Sequence, residues 1–173
     1  LLNNCDNSVM GIRNQVMLRL GYETMRRRSE LCAFKFTDIS QAPNGKPVIR
    51  LNFSKTDQFG TGKIIPISEE ALNLLHEWQD MVCDNGFILR SIRRNGHIGQ
   101  DLCPSSVSVI LKTLQKTINA NSGAPLLSGH SFRVGAALDL LEQGEPLEKI
   151  MLKGGWKSDS TAMKYLRNWQ YNV

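Results

Sequence analysis

His130 and Arg133 stand three residues apart at the start of an apolar pattern with helical spacing, so an imidazole and a guanidinium share one face of a helix. Trp156 follows Gly154 and Gly155, and Tyr165 comes nine residues later on a second helical pattern that begins after Ser158 and Asp159. Imidazole, guanidinium, indole and phenol together suit a phosphodiester better than a carbonyl or a sugar. Attack on phosphorus puts negative charge on the non-bridging oxygens, and fixed cations and N–H donors can meet that charge. Arg133 offers a planar fork to two such oxygens. His130 adds a ring donor or moves a proton. The Trp156 indole has one polar atom, a donor, so it can bind phosphate but cannot act as a base. Tyr165 is the nucleophile candidate: a free phenol keeps its proton to about pH 10, so it needs neighbouring positive charge or a base. Taken singly, Trp156 is equally a core plug, and Tyr165 a buried aromatic on the last helix.

The elements that must position these groups are legible from periodicity. Residues 8 to 36 read as helical, with a break at Gly21 or Tyr22. Arg26, Arg27 and Arg28 run consecutively there. On a helix they would fan around its circumference, so at least one must point inward, where a guanidinium is costly without a partner or an anion. Glu30 is correctly spaced to pair with Arg27. By charge pattern alone, the triplet is a solvated basic face. A turn at Ala42-Pro43-Asn44-Gly45 and alternating residues from Pro47 to Phe53 and from Lys63 to Ile67 predict a two-stranded hairpin, with a polar loop at Lys55 to Gly62. A helix follows from Ser68 to Asp84, with acids in its first turn and His76 on its surface. Residues 90–100 form a basic loop that holds Arg90, Arg93 and Arg94. Pro104 opens a helix that runs to about Asn119. The helix after His130 stops at Gly144, and Pro146 starts a short one that ends at Gly154.

With 173 residues the chain is one domain, or one domain plus an arm, and 41% apolar against 21% charged residues is an ordinary globular balance. The net charge of +5 is uneven. Residues 1–60 carry nine Lys/Arg against five Asp/Glu, residues 61–89 one against five, and residues 90–173 eleven against six. Basic ends around an acidic middle fit a polyanionic partner. Cys5, Cys32, Cys83 and Cys103 are scattered, which suggests neither a zinc site nor a disulfide framework and fits reduced thiols in a cytoplasmic compartment. The sequence holds no apolar run of membrane-spanning length and no G-x-S-x-G, and KGGWKS lacks the P-loop spacing. Leu1 is not an initiator methionine, so the chain is expected to begin inside a longer protein.

HSFRVGAA, the G-G-W, and MKYLRN with its tyrosine nine residues past the tryptophan stand in an order that resembles the active-site region of the tyrosine site-specific recombinases, the phage integrase family, with the Trp form closest to the Cre-like branch. M-R-R-R-S-E-L resembles the family's R-x-S/A-E-L/I motif, which implies Arg27 as the first active-site arginine and Glu30 as its support. S-K-T-D before G-K-I-I-P-I resembles the family's hairpin lysine. The resemblance therefore implies Lys55 as general acid, with Lys63 as the alternative, although a lysine beside a turn is ordinarily just solvated. It further implies a mainly α fold with a small antiparallel β-sheet, and that 1–173 is a C-terminal catalytic domain whose N-terminal DNA-clamping domain lies outside this chain. The implied chemistry is transesterification of double-stranded DNA through a 3′-phosphotyrosyl bond, by Arg27, Lys55, His130, Arg133, Trp156 and Tyr165, without metal or other cofactor. The implied partners are DNA, further copies in a tetramer and accessory DNA-binding proteins, in a prokaryotic cell or mobile element, with no membrane. Arg26, Arg28, Arg90, Arg93 and Arg94 are the expected additional DNA contacts. A type IB topoisomerase, a telomere resolvase or a non-cleaving DNA-binding module are the competing expectations. Many relatives carry histidine where Trp156 stands, so proton transfer at that position is not expected here.

Overall fold

A computed structural model describes residues 1–52, 62–118 and 126–166, apart from the side chains of Ile118, Thr161, Tyr165 and Leu166. Seven helices and three strands lie within these residues: α1 Val9–Thr24, α2 Arg28–Ala33, β1 Ile39–Gln41, β2 Pro47–Leu51, β3 Lys63–Pro66, α3 Glu69–Val82, α4 Pro104–Ile118, α5 Ser131–Glu142, α6 Leu147–Gly154 and α7 Asp159–Leu166. The expected mainly helical fold with a small antiparallel sheet is what the chain adopts.

Capping residues set the main boundaries. Ser8 Oγ accepts from Gly11 N at 3.1 Å to start α1, and Ser68 Oγ accepts from Ala71 N at 3.1 Å to start α3. Glu23 on α1 accepts from both Ser68 N and Ser68 Oγ, at 2.8 and 2.7 Å, so the start of α3 is tied to the end of α1. The first helical stretch does break, but later than Gly21 or Tyr22. Met25 adopts the left-handed conformation at φ 53°, and Arg27 is extended before α2 begins. The arginine triplet therefore does not wrap one helix. Arg26 and Arg27 sit in the link, free of helical periodicity, and point to different surroundings.

The sheet has the order β1-β2-β3, all antiparallel, with Ile39 opposite Ile49 and Ile49 opposite Ile65. The expected hairpin is β2–β3; β1 is a third strand, too short at three residues to give an alternation signal.

Two apolar clusters hold these elements. The larger gathers Ile12, Leu20, Phe34, Ile49, Leu75, Leu111 and Trp78 from α1, the sheet, α3 and α4. Trp78 is fully buried, and its indole donates to Ile88 O at 2.7 Å. The smaller contains Met25, Ala136, Ala137, Ile150, Trp156 and Ala162, where α5, α6 and α7 meet. Among the described residues no helix is long and apolar enough to cross a membrane.

Candidate active site

Glu30 builds the first arginine position. Its Oε2 accepts the Arg27 backbone N–H at 3.1 Å, which caps α2, and its Oε1 pairs with Arg27 Nη1 at 3.1 Å. One buried carboxylate thus fixes both the backbone and the guanidinium of Arg27, whose side chain keeps 35% of its surface exposed. Arg27, Arg28, Ser29, Pro104, Gly129 and His130 line one cleft of about 240 Å³. The start of α2 and the start of α5 thus face each other across an opening with three basic side chains. Ser108 on α4 bridges its two sides: its Oγ accepts from Arg28 Nη1 at 3.1 Å and from Gly129 N at 3.3 Å. The sequence carries no signal for that role, since serine fits any exposed helical position.

His130 precedes the first turn of α5 and is exposed. Arg133, one turn on, is only 3% exposed. Its Nη2 donates to Gly154 O at 2.7 Å, and its guanidinium lies over the Trp156 ring, 5.0 Å from the centroid. The glycine pair explains the arrangement. A Cβ at Gly154 would fall 2.5 Å from the indole, so glycine lets the ring lie against the backbone of α6. Gly155 closes the helix in the left-handed conformation at φ 68°, and the chain then turns so that Trp156 can cover Arg133.

The other expected basic residues divide. Arg26 is 3% exposed; its Nε donates to Thr24 O at 2.8 Å and its Nη2 to Lys153 O. Arg90 is 5% exposed, with both Nη atoms on Asp84 at 2.7 and 2.6 Å and Nε on Phe87 O at 2.8 Å. Both differ from the expected surface contacts: in this structure their guanidinium donors are held by groups of the fold. Arg93 and Arg94 are exposed in a turn where Arg93 N donates to His97 O at 2.9 Å. Arg28 is exposed at the cleft wall. Lys63, the alternative lysine, lies on β3 with Nζ donating to Leu152 O, and burial, then the nearby Arg26 charge, pulls its pKa down. Lys55 lies outside the described residues. Tyr165 is on α7, which packs on α5, the helix of Arg133.

The electrostatics of the assembly are lopsided. Burial lowers the Arg26 pKa to about 10; Glu30 opposes that shift, while the charges of Arg133 and Arg27 add to it. Three cations, Arg26, Arg27 and Lys63, are thus within electrostatic reach of the Glu30 carboxylate, and Arg133 adds its charge next to Arg26. Such an excess in a poorly solvated region favours an anion.

Comparison with known proteins agrees with this geometry. The phage integrase family model matches residues 1–170. The chain is 30% identical over 181 residues to the recombinase cre of Escherichia phage P1, which covers 97% of this chain and 52% of that protein. It is 28% identical over 169 residues to an integrase/recombinase xerD homolog of Selenomonas ruminantium, covering 93% and 49%. The chain spans about half the length of these curated relatives. Its fold is similar to that of XerA recombinase, with a TM-score of 0.73 at 18% identity over 95% of this chain and 54% of the other. It is also similar to a lambda integrase dimer bound to a COC′ core site, with a TM-score of 0.69 at 21% identity over 95% and 54%. The chain belongs to the phage integrase family.

Proposed function

We propose that this chain is the catalytic part of a site-specific recombinase that cuts and rejoins double-stranded DNA through a tyrosine. The observation that carries the reading is the meeting of Arg27 and His130 at one cleft, with Arg133 one turn beyond His130 on α5 and with Arg26 feeling the charges of both Arg27 and Arg133. Arg27 and Arg133 bind the non-bridging oxygens of the scissile phosphate, and the charge that develops there strengthens both contacts. Trp156 covers the Arg133 guanidinium, limits water around it and supplies an indole donor. The Tyr165 oxygen attacks phosphorus. An O–P bond forms to the phenol, the bond to the 5′ oxygen breaks, the phenol proton passes to His130, and the 5′ oxygen takes a proton from Lys55. The 3′-phosphotyrosyl bond keeps the energy of the original diester, so a second 5′ hydroxyl can reverse the step on a new strand. In the longer protein, further copies of the chain and an N-terminal DNA-clamping domain would bring two sites together.

The relatives support a recombinase over a topoisomerase. One similar fold is XerH bound to a palindromic difH substrate in a post-cleavage complex, at 15% identity with a TM-score of 0.73. The test is a covalent trap on nicked duplexes labelled on the 3′-phosphate side. The expected product is a band that survives SDS, disappears with protease and is absent from Tyr165→Phe, with one preferred sequence among the trapped DNA. Many trapped sequences would point instead to a topoisomerase. DNA binding without any adduct would point to a non-cleaving module.

A further inference from the structure

Three consecutive carbonyls at the end of α6 each accept from a different cation. Lys63 of β3 donates to Leu152 O, Arg26 of the α1–α2 link to Lys153 O, and Arg133 of α5 to Gly154 O. The last carbonyls of a helix have no partner within it and lie at the negative end of its dipole, so cations are well placed there. Arg133 is assigned to phosphate, and the Lys63 amine is only partly buried. Arg26 differs from both. It is buried, both its hydrogen-bond acceptors are carbonyls, and one of them, Lys153 O, lies 127 residues further along the chain. A methionine or leucine would fill the same space without the cost of desolvating a charge. The guanidinium also shapes the turn beyond: its Nη1 would be 3.2 Å from a Cβ at Gly155, so it occupies the flank that a side chain there would need.

We propose that Arg26 is a positioning residue for the phosphate site: by gripping the Lys153 carbonyl it fixes the Gly154–Gly155–Trp156 turn against the link that carries Arg27. The two halves of the cation set, Arg27 on one side and Arg133 under Trp156 on the other, then keep one spacing when no DNA is present. When the Arg133 fork turns toward a phosphate, Arg26 continues to hold the end of α6. The residue's distinct contribution is rigidity between two segments that the sequence keeps far apart.

The role in catalysis rests on the proposed recombinase reading, whereas the structural effect can be read without it. The chain would be labelled with fluorotryptophan and its fluorine NMR signals assigned with Trp156→Phe and Trp78→Phe. Arg26→Met is expected to move the Trp156 signal and leave that of Trp78, which belongs to the other cluster. Cleavage of a nicked duplex should slow ~10- to 100-fold, the scale of a misplaced catalytic group, with DNA binding unchanged. Arg26→Lys keeps the charge without the planar fork and should fall between wild type and Arg26→Met. An unmoved Trp156 signal in folded Arg26→Met overturns the proposal. If Arg26→Met loses the folded Trp78 signal, the same reading on Arg26→Lys decides it. Loss of that signal in both variants would make Arg26 a residue of global stability and would equally overturn it. Absence of any adduct in the wild type would remove the recombinase reading while the Trp156 signal still reports on positioning.

Discussion

The two apolar clusters are built on different principles. The larger interdigitates bulky residues such as Phe34, Leu75, Leu111 and fully buried Trp78, and its polar contacts serve the packing. The smaller is built from Met25, Ile150, three alanines and a single aromatic, Trp156, with partly buried leucines of α5 and α6 against it. Around it the joints are made by cations on carbonyls: Arg26, Lys63 and Arg133 on the end of α6. Alanines bury little area, so dispersion and burial contribute modestly there, while charge-assisted hydrogen bonds give direction. One region supplies stability and the other supplies geometry. The proposed catalytic set lies against the second, where the proposal requires groups to keep fixed distances yet still turn toward an incoming phosphate.

Paired tryptophan truncations test this division most severely. Trp78→Ala should cost ~3–5 kcal/mol in urea unfolding, since it empties a packed site and leaves Ile88 O without its indole donor. Trp156→Ala empties a slightly less buried site and should cost ~3 kcal/mol, the low end of that range, yet slow cleavage more than Trp78→Ala does in any molecules that remain folded. Equal stability losses would erase the distinction. Gly155→Ala comes next: a non-glycine residue in the left-handed conformation loses ~1–2 kcal/mol, and the added methyl presses on Arg26. A lower melting temperature with a parallel loss of cleavage is expected, and unaltered cleavage would show that the turn tolerates displacement.

The smallest effect concerns pH and belongs to the stable half. Hydrogen bonds from Arg90, followed by one from Gly86 N, lower the Asp84 pKa to about 2 from a usual value of 3.8. A carboxyl with a depressed folded-state pKa contributes stability in full above its unfolded value and loses it as pH falls through the folded one. Asp84→Asn should therefore flatten the acid limb of the melting-temperature profile between about pH 4 and about pH 2, with cleavage at neutral pH unchanged. An acid limb identical to that of the wild type would mean that the Arg90–Asp84 pair adds nothing to the larger half.

Much of this was readable before folding is considered. Helices α3 to α7 follow from periodicity with Ser, Pro and Gly at their ends, because such signals are local. The spacing of His130 and Arg133 placed both on one helix start, and Glu30 was correctly spaced to support Arg27. The break after α1 was misplaced because Met25, not a glycine, takes the left-handed conformation, and no short-range rule favours methionine there. Strand β1 escaped because its three residues are strand only by virtue of pairing with β2. Arg26 and Arg90 were taken for surface cations because composition counts charge and says nothing of its partners.

The sequence by itself determined the fold class and the identities and order of the chemical groups, since helix periodicity, caps and motif spacing act over a few residues. Tertiary structure alone decided that Arg27 and Arg28 of the triplet face the cleft while Arg26 turns inward. It also decided that Ser108 bridges Arg28 and Gly129, and that three cations from three elements meet the end of α6. The physical reason is that hydrogen bonds between segments 21 to 127 residues apart depend on how the helices pack, and no local pattern encodes that packing.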